Sequence, residues 1–380
     1  MGNVEYTKAV FADHEDLVDF GNYVFKVDFI ELLPKLYKPE YKKDPDHYIV
    51  KENGKIKAAV GSYPMEMRVC GRPLKVAGIG MVSVHPYSRR KGYMRALMDR
   101  AMEDMKKNQV DLACLGGLRQ RYAYYSFEPC GPELEFHVTM QNLRYVYGDD
   151  RETGVTLSKV EAGDTELLEK MKELHDKQPS YVVREGNFYD VLKSWCNVPY
   201  AVYEKGEFIG YAVTDGNCRN VFEIVLKEEK AIEKVVRAIL YSLGSDSVNF
   251  HCAPWQQSFI GYLESVAERH LVALNSNFTV LNYVNVLDAL MELKSTYGKL
   301  ADGELTVCVQ DVQCFKISVK DGKPSVKEYD GKCDVTLPHL KAMRFFFAPA
   351  AAFYDYGVDI SPEVRSWFPL PLFYPKQDMV

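Results

Sequence analysis

The sequence contains no Cys-x-x-Cys pair, no histidine cluster and neither of the common glycine-framed nucleotide loops, although it holds nine cysteines and 25 glycines. A Walker loop needs two glycines framing a Lys-Ser/Thr pair and a dinucleotide loop needs three glycines, so both are excluded. Cys308 and Cys314 are too far apart in sequence to suggest a zinc knuckle, and no metal is expected. Scattered thiols, odd in number, predict reduced cysteines in a cytoplasmic protein. No stretch approaches the roughly 20 apolar residues of a membrane span. Glu5 and Lys8 precede any long apolar run, so no signal peptide is expected. A basic excess is also missing: 47 Lys and Arg against 53 Asp and Glu leave a formal charge of −6. That balance argues against a nucleic-acid partner or an anionic membrane, both of which select a net basic footprint.

Core-forming material is plentiful. With 380 residues, 47% hydrophobic and 13% aromatic, the chain exceeds one ordinary core and predicts two or three domains.

One stretch stands out against the acidic background: Val82-Ser83-Val84-His85-Pro86-Tyr87-Ser88-Arg89-Arg90-Lys91-Gly92-Tyr93-Met94-Arg95. An apolar strand runs into a basic loop, and the loop opens a helix. Met94, Leu97, Met98, Ala101, Met102 and Met105 recur at three- and four-residue steps and form its apolar face. The first turn of such a helix carries unpaired N–H groups and the positive end of the dipole. Gly92 lets an anion approach the backbone, with cationic side chains around it. This construction suits a phosphorylated cofactor; the plainer reading is a basic helix start on a solvated face.

The rest of the first segment alternates strand and helix. His14 to Phe25 predicts a helix. The turns Asn53-Gly54 and Gly71-Arg72-Pro73 join the strands Tyr48–Val50, Ile56–Val60, Met65–Val69 and Leu74–Val84. After the basic helix come the strand Val110–Leu115, a tyrosine-rich helix and the strand Glu133–Met140. The second segment repeats the order. Tyr48, Val50, Glu52, Gly54 and Ile56 find counterparts 152 residues later in Tyr200, Val202, Glu204, Gly206 and Phe208. A strand Val221–Leu226 and a helix with Ile232, Val235, Val236, Ile239, Leu240 and Leu243 on one face follow, so an internal duplication is the economical reading. In the second copy the loop reads Lys227-Glu228-Glu229-Lys230, without glycine and with two carboxylates where phosphates would sit. From about Asp288 the pattern changes to short strands at Leu305–Val309, Cys314–Val319 and Val326, then Asp334–Leu337 and a helix to Phe347.

Arg89-x-x-Gly92 after a strand resembles the acetyl-CoA signature of the GNAT acetyltransferases, Arg/Gln-x-x-Gly-x-Gly/Ala. The longer string Val-x-Val-x-Pro-x-x-Arg-Arg-x-Gly-x-x-Arg is similar to the Eis branch, where a larger apolar residue such as Met94 is common. The resemblance implies a mixed α/β chain: a catalytic GNAT domain over residues 1–150, a degenerate GNAT-like domain over 151–287, and a sterol-carrier-protein-like domain over 288–380. It implies an acetyl-CoA-dependent N-acetyltransferase acting on a small cationic amine or a lysine-bearing substrate by direct transfer, and a homo-oligomer, a hexamer in Eis proteins. The cofactor residues so implied are Val82, Ser83, Val84, Arg89, Arg90, Lys91, Gly92, Tyr93, Met94, Arg95 and Gly117. The strand backbone at Val82–Val84 is placed to pair with the pantetheine arm. Gly116-Gly117 offers a close backbone approach, or merely a turn.

Tyr122-x-x-Tyr125-Ser126-Phe127 stands where the Eis pattern has Tyr-x-x-Phe-Gly-Tyr/Phe, with Tyr125 for Phe and Ser126 for Gly. The resemblance makes Tyr122 the donor to the departing thiolate; Tyr124 and Tyr125 read as packing. No side chain stands out as a base, and His85 reads as an ordinary surface or core histidine. Eis-like proteins insert their C-terminal carboxylate into the active site, which assigns the base to Val380, here Val in place of the usual aromatic residue. The segment Trp367–Tyr374 is too apolar to hang free and should dock. Asp13, Glu15, Asp16, Asp19, Asp28 and Glu31 would line the mouth for a cationic acceptor or form a solvated face. The competing reading is a lipid-binding protein that uses its third domain, with the GNAT copies as scaffolding.

Overall fold

Two runs of alternating apolar residues, one in each half of the chain, build a single twisted sheet. The computed structural model describes residues 3–243 and 246–380. The first segment contains β1 (Val4–Lys8), α1 (His14–Phe25), α2 (Phe29–Leu32), α3 (Pro34–Tyr37), β2 (His47–Glu52), β3 (Lys55–Val69), β4 (Arg72–Val84), α4 (Tyr93–Lys107), β5 (Leu112–Leu115), α5 (Arg119–Tyr122), β6 (Glu128–Thr139) and α6 (Met140–Tyr147). The second contains β7 (Val155–Lys159), α7 (Thr165–His175), β8 (Ser180–Val182), α8 (Phe188–Lys193), β9 (Val198–Glu204), β10 (Glu207–Thr214), β11 (Asn220–Leu226), α9 (Ile232–Ser242), β12 (Ser247–Cys252), α10 (Gln257–Val266) and β13 (Arg269–Val280). The fold is mixed α/β, as the sequence predicts.

Differences from the expected elements have local causes. Ile56–Val60 and Met65–Val69 are one strand, β3, because the intervening residues continue the ladder against β4. The turn before β4 lies at Cys70-Gly71, both with positive φ, so Arg72 and Pro73 already belong to the strand. β5 is shorter than Val110–Leu115, and β6 begins at Glu128 rather than Glu133.

The 13-stranded sheet runs β1-β2-β3-β4-β5-β13-β6-β12-β11-β10-β9-β7, with β8 attached to β3. β13, from the second segment, pairs with β5, and β6, from the first, pairs with β12. β6 and β13 lie antiparallel to each other along most of their length. Each half of the sheet is therefore completed by a strand from the other half. The halves also share details: Glu52 binds Lys91 near the start of α4, and its counterpart Glu204 binds Lys234 in α9.

A third layer follows: α11 (Tyr283–Ser295), β14 (Gly303–Val309), β15 (Gln313–Lys320), β16 (Lys323–Glu328), β17 (Val335–Leu337), α12 (His339–Phe347) and α13 (Pro362–Arg365). Its four strands run β16-β15-β14-β17. The turn Asp321-Gly322 takes the left-handed backbone that its sequence suggests. The expectation of uniformly reduced thiols needs correction here. Cys308 and Cys314 are directly opposed on the β14–β15 hairpin, with Cα atoms 4.0 Å apart, and form a disulfide; the other seven cysteines are free.

The chain then returns to the large sheet. Trp367, Leu370, Leu372 and Tyr374 are fully buried, so the apolar tail does dock. Burying each such side chain contributes about 1.5–3 kcal/mol. The last turn is held by charge. Arg184, itself buried, donates to Asp378 (3.0 and 2.9 Å) and to Glu223 on β11 (2.9 and 2.6 Å). Burial pushes the Glu223 carboxyl up, but Arg184 outweighs it and holds the group below its ordinary value.

Arg184→Met should cost about 3–5 kcal/mol, since it strands two buried carboxylates. A depressed carboxyl stabilises the fold above its unfolded value, near 4.5 for Glu223, and that contribution is lost as pH falls. Melting temperatures of both proteins across pH should therefore show the deficit shrinking in acid. Equal melting at pH 7 would remove Arg184 as the anchor of the tail.

Candidate active site

The site begins where two strands part. β4 and β5 pair in parallel from Val76↔Leu112 to Ile79↔Leu115, and the ladder stops there. Among the described residues, Gly80 to Val84 therefore have no ladder partner on that side, while β3 continues on the other. The β3–β4 register shifts at this level, and Met81 takes φ +47, so a bulge stands at the fork. A positive φ at a large residue marks local strain of the kind concentrated at functional sites. Ser83 is buried and its hydroxyl donates to the Met81 carbonyl at 3.0 Å; Val82 and Val84 are half-buried.

Beyond Val84 the basic loop opens α4. Arg90 (φ +68) and Gly92 (φ +79) both adopt left-handed backbone, and Gly92 is the residue preceding the helix. The first intrahelical bond runs from Ala96 N to Gly92 O, leaving the earlier N–H groups of the turn without helical partners. A Cβ built on Gly92 meets nothing within 4 Å, so the backbone there is open to a ligand. Arg89, Arg90, Lys91 and Arg95 are exposed around it. Lys91 is tied to Glu52 at 2.6 Å, and Tyr93 also donates to Glu52, which leaves the three arginines as the loop's cations without a carboxylate partner among the described residues. Tyr93, Leu97, Met98, Ala101 and Met105 form the buried face of α4, with Met94 half-buried beside them. The open backbone, the unpaired N–H groups and the arginines together fit a phosphate-bearing ligand.

Tyr122 stands at the end of α5 and is 4% exposed. Burial pushes its phenol above the ordinary value, with Arg121 opposing, so it stays protonated. Gly117 (φ +145) is what seats it: a Cβ there would fall 2.7 Å from the Tyr122 ring. The Gly117 carbonyl accepts from Asn277 on β13 at 3.2 Å, so the exchanged strand fixes this corner. Tyr125 packs on the first core, as expected, and donates to Asp99. Tyr124 does not pack: it is 66% exposed, with the Arg95 guanidinium 4.7 Å from its ring.

The chain end also reaches the fork. A Cβ on Gly78 would lie 2.7 Å from a Val380 methyl, and one on Gly80 would lie 3.1 Å from the Val380 carbonyl carbon. Two glycines on β4 thus make the space that Val380 occupies, at the fork. The residues behind it are clamped. Lys35 on α3 donates to the carbonyls of Gln377 and Met379 (2.8 Å to the latter), and Trp195 Nε1 donates to Met379 at 3.1 Å. Burial lowers the Lys35 amine to about 7. Tyr63, which also crowds Gly80, bonds Tyr37 at 2.6 Å and His47 Nε2 at 2.8 Å. The other His47 nitrogen faces backbone carbonyls, and burial lowers this histidine to about 4, so it is neutral and accepts from Tyr63.

Other candidates lie elsewhere. His85 stacks on Tyr23 with centroids 5.3 Å apart and accepts from Tyr87 N, which makes it a loop support. The acidic positions do not act as a set. Asp13 is paired to Lys51, Asp28 caps α2 and Glu31 bonds Lys193, whereas Glu15, Asp16 and Asp19 are exposed on α1. In the second copy Lys227 to Lys230 are exposed and Glu228 pairs with Lys230, leaving no anion cradle. Gly78, Gly80, Met81, Lys35 and Trp195 escaped the sequence reading; the small pair Gly78-x-Gly80 inside an apolar strand was the available signal. Among the described residues, no cluster of His, Cys, Asp or Glu fit for a metal occurs, and no helix is long and apolar enough to cross a membrane.

Residues 5–129 match the family described as acetyltransferase (GNAT) domain. No curated protein sequence matches the chain. Among solved structures, a GCN5-related N-acetyltransferase from Kribbella flavida superposes with a TM-score of 0.71 at 16% identity, covering 100% of this chain and 99% of that one. A protein of unknown function from Enterococcus faecalis V583, described as a probable N-acyltransferase, gives 0.68 at 15% identity, covering 100% and 97%. Eis1 from Mycobacterium abscessus gives 0.64 at 15% identity, covering 99% and 98%. The first third of the chain is thus similar in sequence to GNAT acetyltransferase domains, and the whole chain shares the fold of these proteins.

Proposed function

We propose that the protein transfers an acetyl group from acetyl-CoA directly to an amine. The observation that carries this is the fork itself. An unpaired strand edge at Gly80–Val84 leads into an open, arginine-rich helix start, with a protonated buried phenol seated against Gly117 just past the neighbouring strand. A scaffold has no use for that combination. The lipid-carrier alternative is less well supported, because the interior of the third layer is filled by Tyr283, Phe315 and Phe346, all fully buried.

In this reading the α4 N-terminus with Arg89, Arg90 and Arg95 holds the pyrophosphate, and the free edge at Val82–Val84 aligns the pantetheine arm. Acetyl-CoA supplies an activated thioester. The acceptor nitrogen forms the new bond to carbon while the C–S bond breaks. Tyr122 gives its proton to the sulfur, and the Val380 carboxylate takes the proton the amine sheds, directly or through one water. The acceptor is a small amine or a lysine-bearing peptide.

Two substitutions should dissociate binding from chemistry. Gly92→Glu puts a carboxylate where the pyrophosphate belongs and should abolish acetyl-CoA binding in calorimetry while the fold survives. Tyr122→Phe should keep that affinity and lose about 10²-fold or more in turnover. Unchanged affinity in the first, or full activity in the second, would remove the corresponding role.

The base can be tested without touching a side chain. Deleting Met379 and Val380, or appending residues after Val380, should cripple turnover and leave acetyl-CoA affinity nearly unchanged. Val380→Ala, which keeps a carboxylate in register, should be mild. Native turnover in the extended protein would place the base elsewhere.

A further inference from the structure

The second copy has a fork of its own. β11 and β12 pair only at Asn220↔Asn249 and Val221↔Phe250 before parting. Counted from the last rung, Asn220 and Phe222 stand where Gly78 and Gly80 stand in the first copy, and His251 stands where Gly116 stands. In the first fork the glycines admit Val380. In the second, Asn220, Phe222 and His251 instead wall a cavity of about 300 Å³, closed on other sides by Glu133, Phe373 and Lys376. This volume is at the small end of ligand pockets.

The charges around the cavity are unevenly satisfied. The Glu133 carboxylate is engaged on both oxygens, 2.7 Å from His251 Nδ1 and accepting from Asn275 at 2.9 Å. His251 Nε2 faces Asn220 Oδ1 at 3.3 Å. Lys376 is the exception. Its amine lies 5.0 Å from the Trp195 ring centroid and no salt bridge reaches it among the described residues; burial lowers its pKa, with the nearby Glu133 carboxylate opposing. A half-buried ammonium whose neighbouring carboxylate, Glu133, is already engaged on both oxygens favours an anion that can enter its cavity. Phe222 and Phe373 add flat apolar surface for the body of such a ligand.

We propose that this second fork is a binding site for a small carboxylate-bearing molecule, its carboxylate on Lys376 and its body between Phe222 and Phe373. The site is separate from the basic loop of α4 and does not depend on the acetyl-transfer reading. Lys376 and Met379 both line it and both belong to the tail that delivers Val380, so a ligand here would touch the segment that completes the first fork.

Benzoate and benzylamine serve as probes of equal shape and opposite charge. Calorimetric titration of the full chain should give saturable benzoate binding at one site per chain, whereas any benzylamine binding, which the acetyl-transfer reading places at the first fork, should not respond to substitution of Lys376. Lys376→Met, which keeps the stem over Trp195, should weaken benzoate about tenfold or more, and Lys376→Arg should retain it. Absence of saturable benzoate binding to the wild type would overturn the proposal. Unchanged benzoate affinity in Lys376→Met would do the same, because the anion would then be held elsewhere, for instance at Arg89 to Arg95.

Discussion

The exchange of β6 and β13 is the constraint on which the rest of the molecule depends. Neither half of the sheet can be completed by its own last strand, because β5 ladders with β13 and β12 with β6. The two forks are consequently held in one continuous sheet, and their spacing is set by backbone hydrogen bonds. Asn277, on the exchanged strand β13, reaches back to the carbonyls of Leu115 and Gly117 beneath Tyr122. A strand from the second half thus fixes a corner of the first half's site. Strand exchange also explains how the tail can bridge the two halves: Tyr374 is anchored through its N–H to Asn275 on β13, and Asp378 through Arg184 to Glu223 on β11.

The two halves repeat one strand–loop–helix order, and the asymmetry of their forks lies in a few residues. The same strand–loop–helix order ends in Arg89-Arg90-Lys91-Gly92 in one copy and in Lys227-Glu228-Glu229-Lys230 in the other. Left-handed backbone at Arg90 and Gly92 opens the first loop, whereas the second folds on itself through the Glu228–Lys230 pair. At the fork the difference is steric. Gly78 and Gly80 leave room for the chain terminus, and Asn220 and Phe222 close the equivalent space with side chains. A few residue exchanges convert one architecture from an opening into a wall.

Much of this was legible in the sequence because the signals are local. Asn53-Gly54 and Asp321-Gly322 specify their turns through left-handed backbone, and the Met-rich spacing of α4 fixes its buried face. The basic loop was legible for the same reason, since four cations and one glycine fall within the seven residues Arg89 to Arg95. What was not legible is non-local. Nothing in Arg269–Val280 announces that it pairs with Leu112–Leu115, more than 150 residues earlier, rather than with its own neighbour β12. Lys35 has no mark distinguishing it from other lysines near the surface until Gln377 and Met379 are brought to it. Asp378 would pass for a solvated tail residue without Arg184, and the pairing of Cys308 with Cys314 depends on their facing positions in a hairpin register.

The central claim is that one fork of this sheet holds an acyl-CoA and the other does not. Calorimetric titration of the full chain with acetyl-CoA tests it most directly, by its stoichiometry. The account predicts one site per chain, with the enthalpy abolished when the loop Arg89–Gly92 is replaced by the Lys227–Lys230 sequence. Two sites per chain, or a single site that survives this replacement, would contradict it.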